Sequence, residues 1–139
     1  MNKQLLVKAI PALFVLALIG VFVFSITKFG HIEHPGLTVY KNECAQCHGE
    51  NGEGIKTLMP PIANSDFAVN NFDSIPCWLK NGLNRPIIVN GIQYEQTMYP
   101  SKLNDIQIAN VINYINETYL HTDRKVNSAW VKQRLKDCK

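Results

Sequence analysis

The 139 residues are poor in several things. No stretch alternates apolar and polar side chains as a half-buried strand does, and no segment repeats, so sheet-based and repeat architectures find no support. Cys and His are few, and no second closely spaced pair of them accompanies Cys44 and Cys47, which sets aside a structural zinc site. No strand precedes those cysteines within alternating strands and helices, so a thioredoxin-like redox pair lacks its setting. Between His31 and Asp123 there are five basic residues (Lys41, Lys56, Lys80, Arg85, Lys102) against ten acidic ones, which removes the basic stripe that nucleic acid binding requires. Methionine is scarce too: apart from Met1 there are only Met59 and Met98.

What is present centres on Cys44-Ala45-Gln46-Cys47-His48, the pattern by which a haem is attached covalently to a chain. At the end of a helix, spacings of three and four bring the three side chains to one face. The two thiols can then add to the vinyl groups of one haem while the adjacent imidazole reaches its iron as the proximal ligand.

Ala9 to Thr27 carries no charge and is dominated by Leu, Val, Ile, Phe and Ala. As a helix it would be about 28 Å long, close to the thickness of a bilayer's hydrocarbon core. Pro11 is tolerable near its start. A cleavable export signal competes, with Lys3 and Lys8 as its basic leader, but the apolar run is long, no small-residue cleavage site clearly follows, and the chain starts at Met1. The expectation is an uncleaved single-pass anchor over 9–27 with residues 1–8 in the cytoplasm, although Lys28 weakens the charge bias. Residues 28–35 read as a linker that reaches at most about 28 Å, with His31 and His34 solvated rather than forming a metal site. The remaining hundred or so residues make one small domain, short of core, that would fold poorly without a buried cofactor. The expected division is a haem domain over 36–121 and a basic C-terminal helix over 122–139, in whose last sixteen residues six basic residues stand against Asp137 alone.

Within the domain, Gly36 to Gln46 reads as helical, the glycines from Gly49 to Gly54 as a loop, and Met59 to Ile62 as extended. Phe72 to Gly82 reads as a short helix ending at its glycine. The clearest helix starts at Asn104, an N-cap with Gln107 completing a capping box, Leu103 stapling onto Ile108, and a stripe of Ile108, Val111, Ile112 and Ile115. A last amphipathic piece, roughly Lys125 to Lys136, carries Val126, Ala129, Trp130 and Leu135.

These pieces together resemble a class I cytochrome c on a membrane anchor, of the bacterial monohaem kind. The resemblance covers roughly Gly36 to Tyr119 and rests on Gly36 and Tyr40, the Cys44-to-Gly49 motif, Pro60-Pro61-Ile62-Ala63, Met98, and Asn113-Tyr114-Ile115. It implies an all-α fold around one covalent haem c, with the first and last helices crossing closely at Gly36, Tyr40 and Tyr114. Met98, fifty residues after His48 and just before the capped helix, takes the position of the distal iron ligand, with Met59 as its rival. Pro60 or Pro61 resembles the residue whose carbonyl holds the proximal imidazole, and Pro61 is counted among the cofactor-binding residues. Arg85 is a weaker candidate for pairing a haem propionate. Haem attachment outside the inner membrane would place the domain in the periplasm.

The function so implied is one-electron transfer between a quinol-oxidising complex and a terminal oxidase, without bond-making catalysis. A permanently docked haem subunit of a respiratory assembly is the alternative, and a haem enzyme with an open distal site is disfavoured by Met98. Cys77 and Cys138 are left after haem attachment. The periplasm permits their pairing, with a buried Cys77 and a free Cys138 as the other possibility. His121 reads as a surface residue, and Trp78 and Trp130 as packing or membrane-edge residues.

Overall fold

The structure, a computed structural model, describes residues 3–29 and 33–138. His31 of the expected linker and the side chains of Lys3, Lys8 and Lys28 lie outside the described residues. The chain divides into two compact units between Glu33 and His34.

The first unit is a single helix, α1 (Lys3–Phe29), with Pro11 inside it. Its described large apolar side chains, from Leu13 to Phe24, are exposed. Ser25, the hydroxyl within this run, donates back to the Val21 carbonyl at 2.8 Å, so its polar group is satisfied by the helix itself. Among the described residues no helix is long and apolar enough to cross a membrane. The anchor expected over 9–27 therefore has no support of that kind.

The second unit begins with α2 (Pro35–Glu43), whose first turn is set by Pro35 and by His34 Nδ1 accepting from the Gly36 amide at 3.0 Å. The helix expected to run through Gln46 is interrupted. Cys44 is a turn residue at the end of α2, with φ stretched to −119° at a helical ψ of −40°, and the separate turn α3 (Ala45–His48) carries Cys47 and His48. A short α4 (Asp66–Asn70) is capped by Ser65, and a 3-10 turn, Phe72–Ser74, leads into α5 (Ile75–Asn81), which stops at Gly82 with φ 79°. In α6 (Asp105–Ile115) the capping box is fully formed, with Asn104 Oδ1 accepting from the Ile106 and Gln107 amides and Gln107 returning the bond. Ile108, Val111, Ile112 and Ile115 are buried as their spacing requires. A π-helical turn, Asn116–Leu120, extends this helix to His121, which is exposed and left-handed.

Two expectations are corrected. The domain is mostly helical but not all-α: β1 (Ile87–Val89) and β2 (Ile92–Tyr94) form an antiparallel hairpin, Val89 opposite Ile92. Strands of three residues are too short to display alternation, yet Asn90 and Gly91, both at positive φ, make the turn that such a pair favours. The C-terminal helix also starts later than expected. Residues 125–127 are irregular and α7 spans Ser128–Lys136, capped by Asn127 accepting from the Trp130 amide at 2.9 Å. The face it turns inward buries Val131 completely and leaves Ala129, expected on the apolar side, exposed.

The core lies where α2 crosses α6. Tyr40, Ile108, Val111 and Ile112 are almost fully buried there, and α7 adds Val131 from the other part of the chain. At the crossing, a Cβ on Gly36 would stand 2.0 Å from the Asn110 carbonyl oxygen, so only glycine allows the approach.

Candidate haem-binding site

Cys44, Cys47 and His48 line one cavity of about 350 Å³. The break at Cys44 creates their arrangement, burying that cysteine at the end of α2 while the following turn leaves Cys47 exposed and His48 half-buried. Burial pushes the Cys44 thiol up to about 12, so the unattached group stays protonated.

The imidazole is fixed from behind. His48 Nδ1–H donates to the Pro60 carbonyl at 2.9 Å, which leaves Nε2 as the nitrogen available to a metal. The accepting carbonyl belongs to Pro60; Pro61, singled out from the sequence, instead lines the cavity. Two consecutive prolines both fit the sequence pattern, and only the backbone path distinguishes them. That path is set by Gly54, whose amide donates to the His48 carbonyl at 2.8 Å and where a Cβ would stand 2.5 Å from the Met59 carbonyl oxygen. Burial keeps the ring below the ordinary histidine range, partly offset by the bond to Pro60, so His48 is held as the neutral form that ligates metals.

Two tyrosines lock the chain after the motif. Tyr40 Oη donates to the Gly49 carbonyl at 2.7 Å and Tyr119 Oη to that of Glu50 at 2.8 Å. Both hydroxyls are pushed above their ordinary range by burial, Tyr40 to about 12, and remain neutral donors. Tyr40, Tyr114 and Tyr119 pack with ring centroids 5.2 to 5.7 Å apart, so of the two tyrosines expected at the helix crossing Tyr40 also holds the haem-motif loop, together with Tyr119, while Tyr114 packs against both.

Met98 reaches the same cavity from a separate loop. Its backbone exchanges two hydrogen bonds with Leu83, at 2.8 and 2.9 Å, and a Cβ on Gly82 would press on the Met98 carbonyl at 2.5 Å. Met59 lines the cavity as well, beside Pro60. The walls are apolar, with Ile75, Trp78 and Leu79 from α5 and Val89 and Tyr94 from the hairpin, while the exposed Arg85 lies at the cavity's edge. Trp78 stacks on Phe67 at 5.0 Å, and Trp130 tilts against Phe72 at 6.0 Å, so both indoles serve packing. Sequence reasoning missed the hairpin's share of the wall, for which Asn90-Gly91 was the available signal. Among the described residues no group of three or more His, Cys, Asp and Glu side chains could hold a bare metal ion.

Cys77 and Cys138 are joined in a disulfide with Cα atoms 5.6 Å apart, and Cys44 and Cys47 are the free pair.

Residues 34–118 match the family Cytochrome c. The chain belongs to the cytochrome c family. Two proteins named Cytochrome c-552, both from Thermus thermophilus, are 33% identical to it over 85 residues, 58% of this chain. The matched region spans 64% of one relative and 57% of the other. Cytochrome c proteins carry covalent haem c, act as electron carriers rather than enzymes, and have their haem domains typically outside the cytoplasm. The site of this cytochrome c domain fits that group: paired thiols and an oriented imidazole share one apolar cavity with a thioether donor.

Proposed function

We propose that the protein is a membrane-anchored monohaem cytochrome c that carries single electrons from a quinol-oxidising complex to a terminal oxidase. The observation that carries this reading is the presence of His48 and Met98 on the same apolar cavity as the two free cysteines. When bound, the haem supplies a one-electron Fe(III)/Fe(II) couple. Cys44 and Cys47 hold it through thioether links, and His48, oriented by Pro60, is its proximal ligand. Met59 is adjacent to the residue that grips His48 from behind, which favours Met98, on its separate loop, as the thioether that would serve as the second iron ligand. A soft thioether favours the ferrous state and raises the reduction potential. The apolar walls from α5 and the hairpin would keep water from the couple, and His48 and Met98 would together supply both protein ligands to its iron. The uncharged run Ala9 to Thr27 and the short linker support a tether at the bacterial inner membrane with the haem domain in the periplasm.

The oxidised protein should show the sulfur-to-iron absorption band, retain its pigment through acidic acetone, and lose the band but not the pigment in Met98→Ala. A Met98→Ala protein with the band intact would transfer the distal role to Met59. Gentle detergent extraction should release the protein alone; co-extraction with a fixed set of respiratory subunits would favour the docked-subunit alternative.

A further inference from the structure

The family match ends at residue 118, and the chain continues into a strap, residues 121–138, that returns to the haem-domain body. Asn113 holds it through two bonds to the Val126 backbone, each 2.9 Å, and the fully buried Asn116 donates to the Thr122 and Arg124 carbonyls. Arg124 pairs with Asp73 and lies 4.1 Å over the Phe72 ring, Trp130 packs on that same ring, and the Cys138 disulfide closes the strap onto Cys77. These fastenings at 72, 73 and 77 converge on α5 and the turn before it.

That helix has two neighbours to serve. Ile75, Trp78 and Leu79 line the haem cavity around Cys77. Beyond them, the end of α5 carries the loop of Met98: the Leu79 carbonyl accepts from the Ser101 amide at 2.9 Å and from its hydroxyl at 2.7 Å, Lys80 Nζ donates to the Leu103 carbonyl at 3.1 Å, and Leu83 pairs with Met98 itself. Seven residues are too few for a helix to hold its place by its own hydrogen bonds.

We propose that the strap, acting through the Cys77–Cys138 bond, is a positioning element for Met98: it holds α5, and α5 holds the loop that presents the thioether. The inference rests on the reading of Met98 as distal ligand. Its test uses the full-length, haem-loaded protein in three forms: intact, reduced and alkylated at Cys77 and Cys138, and C77S/C138S. One readout is the pH at which the sulfur-to-iron band of the oxidised protein is lost; the other is amide exchange at Leu83 and Met98. Breaking the disulfide should lower the loss of the band by at least about one pH unit and speed exchange at the two amides about tenfold. Reoxidation of reduced, unalkylated protein should restore both values. Val39→Ala, which removes a side chain packed against the core from α2, supplies destabilisation elsewhere and should leave the band's pH profile in place. A profile unchanged by breaking the disulfide, or shifted equally by Val39→Ala, would overturn the proposal alone; an intact protein with no sulfur-to-iron band at any pH would overturn the Met98 reading and this inference with it.

Discussion

The haem domain is closed at two places by opposite means. Where α2 crosses α6, contact is a matter of volume: Gly36 meets the Asn110 carbonyl with no room for a methyl group, and Tyr40, Ile108 and Val111 fill the space beside it. Where the strap meets the ends of α6 and α5, contact is largely a matter of individual bonds, from Asn113 and Asn116 on the α6 side and from Arg124 to Asp73 and Cys138 to Cys77 on the α5 side, with Val131 as its one fully buried apolar side chain. Close packing of backbone fails all at once when atoms are added, whereas a set of separate bonds can be cut one at a time with graded loss. The same contrast accounts for the charge pattern. The excess of basic residues in the tail is partly paired within the unit, Arg124 with Asp73 and Lys125 with Glu117, and so is not wholly free to steer partners.

The sharpest way to break the crossing is Gly36→Val. Even its first added carbon would meet backbone oxygen at 2.0 Å, and the helices would have to part along the core. We expect a loss of more than about 5 kcal/mol, enough to leave no folded haem-loaded protein, measured by pigment yield and denaturant unfolding. Recovery of native-like protein would show that the crossing yields more readily than its geometry implies.

On the other side of the comparison, Cys138→Ser releases a cross-link between residues 61 positions apart. The chain-entropy estimate for such a loop is a loss of up to about 4 kcal/mol, and the unfolding midpoint in urea should fall accordingly while the core helices still fold. A smaller cut is Asn116→Ala. It removes the fully buried donor of the part-buried Thr122 and Arg124 carbonyls and should cost about 2 kcal/mol, with faster proteolysis confined to the strap. Should proteolysis appear equally in α2, the two closures would not be independent.

The two regions also differ in how far they could be read from residues alone. The cysteine-histidine motif and α6 are local patterns: cap, box and stripe lie within a dozen neighbours, and each was formed as its spacing required. Gly36 and Tyr40 were readable through the resemblance, because close helix crossings need one small residue and rings around it. The strap was less legible. Its helix starts at Ser128, capped by Asn127, and turns Val131 inward against the distant core, and its attachment depends on Asn113 and Asn116 reaching backbone six or more positions away. The hairpin was hidden because strands of three residues show no period, and Pro60 was not separable from Pro61 because a carbonyl's direction is a property of the backbone path. Local rules predict local structure; the remainder was decided by contacts between distant segments.

Glu117 is where the two closures touch, since its carboxylate lies 2.8 Å from Lys125 of the strap and 3.6 Å from His34, the cap of α2. The hydrogen bond from Lys125, aided by the attraction of Lys125 and His34 and opposed by slight desolvation, holds this carboxyl below the ordinary glutamate range. A carboxyl whose folded value is depressed adds stability that is present above the unfolded value, near 4.5, and is lost as pH falls through the folded one. The group is exposed, so the effect is small and screened by salt. Glu117→Gln should therefore flatten the decline of Tm slightly on acidification below about pH 4.5 in low salt and change nothing measurable in 0.5 M salt, roughly a Debye length of 4 Å. If the low-salt difference persists in Cys138→Ser, the glutamate acts through α2; if it vanishes there, it acts through the strap.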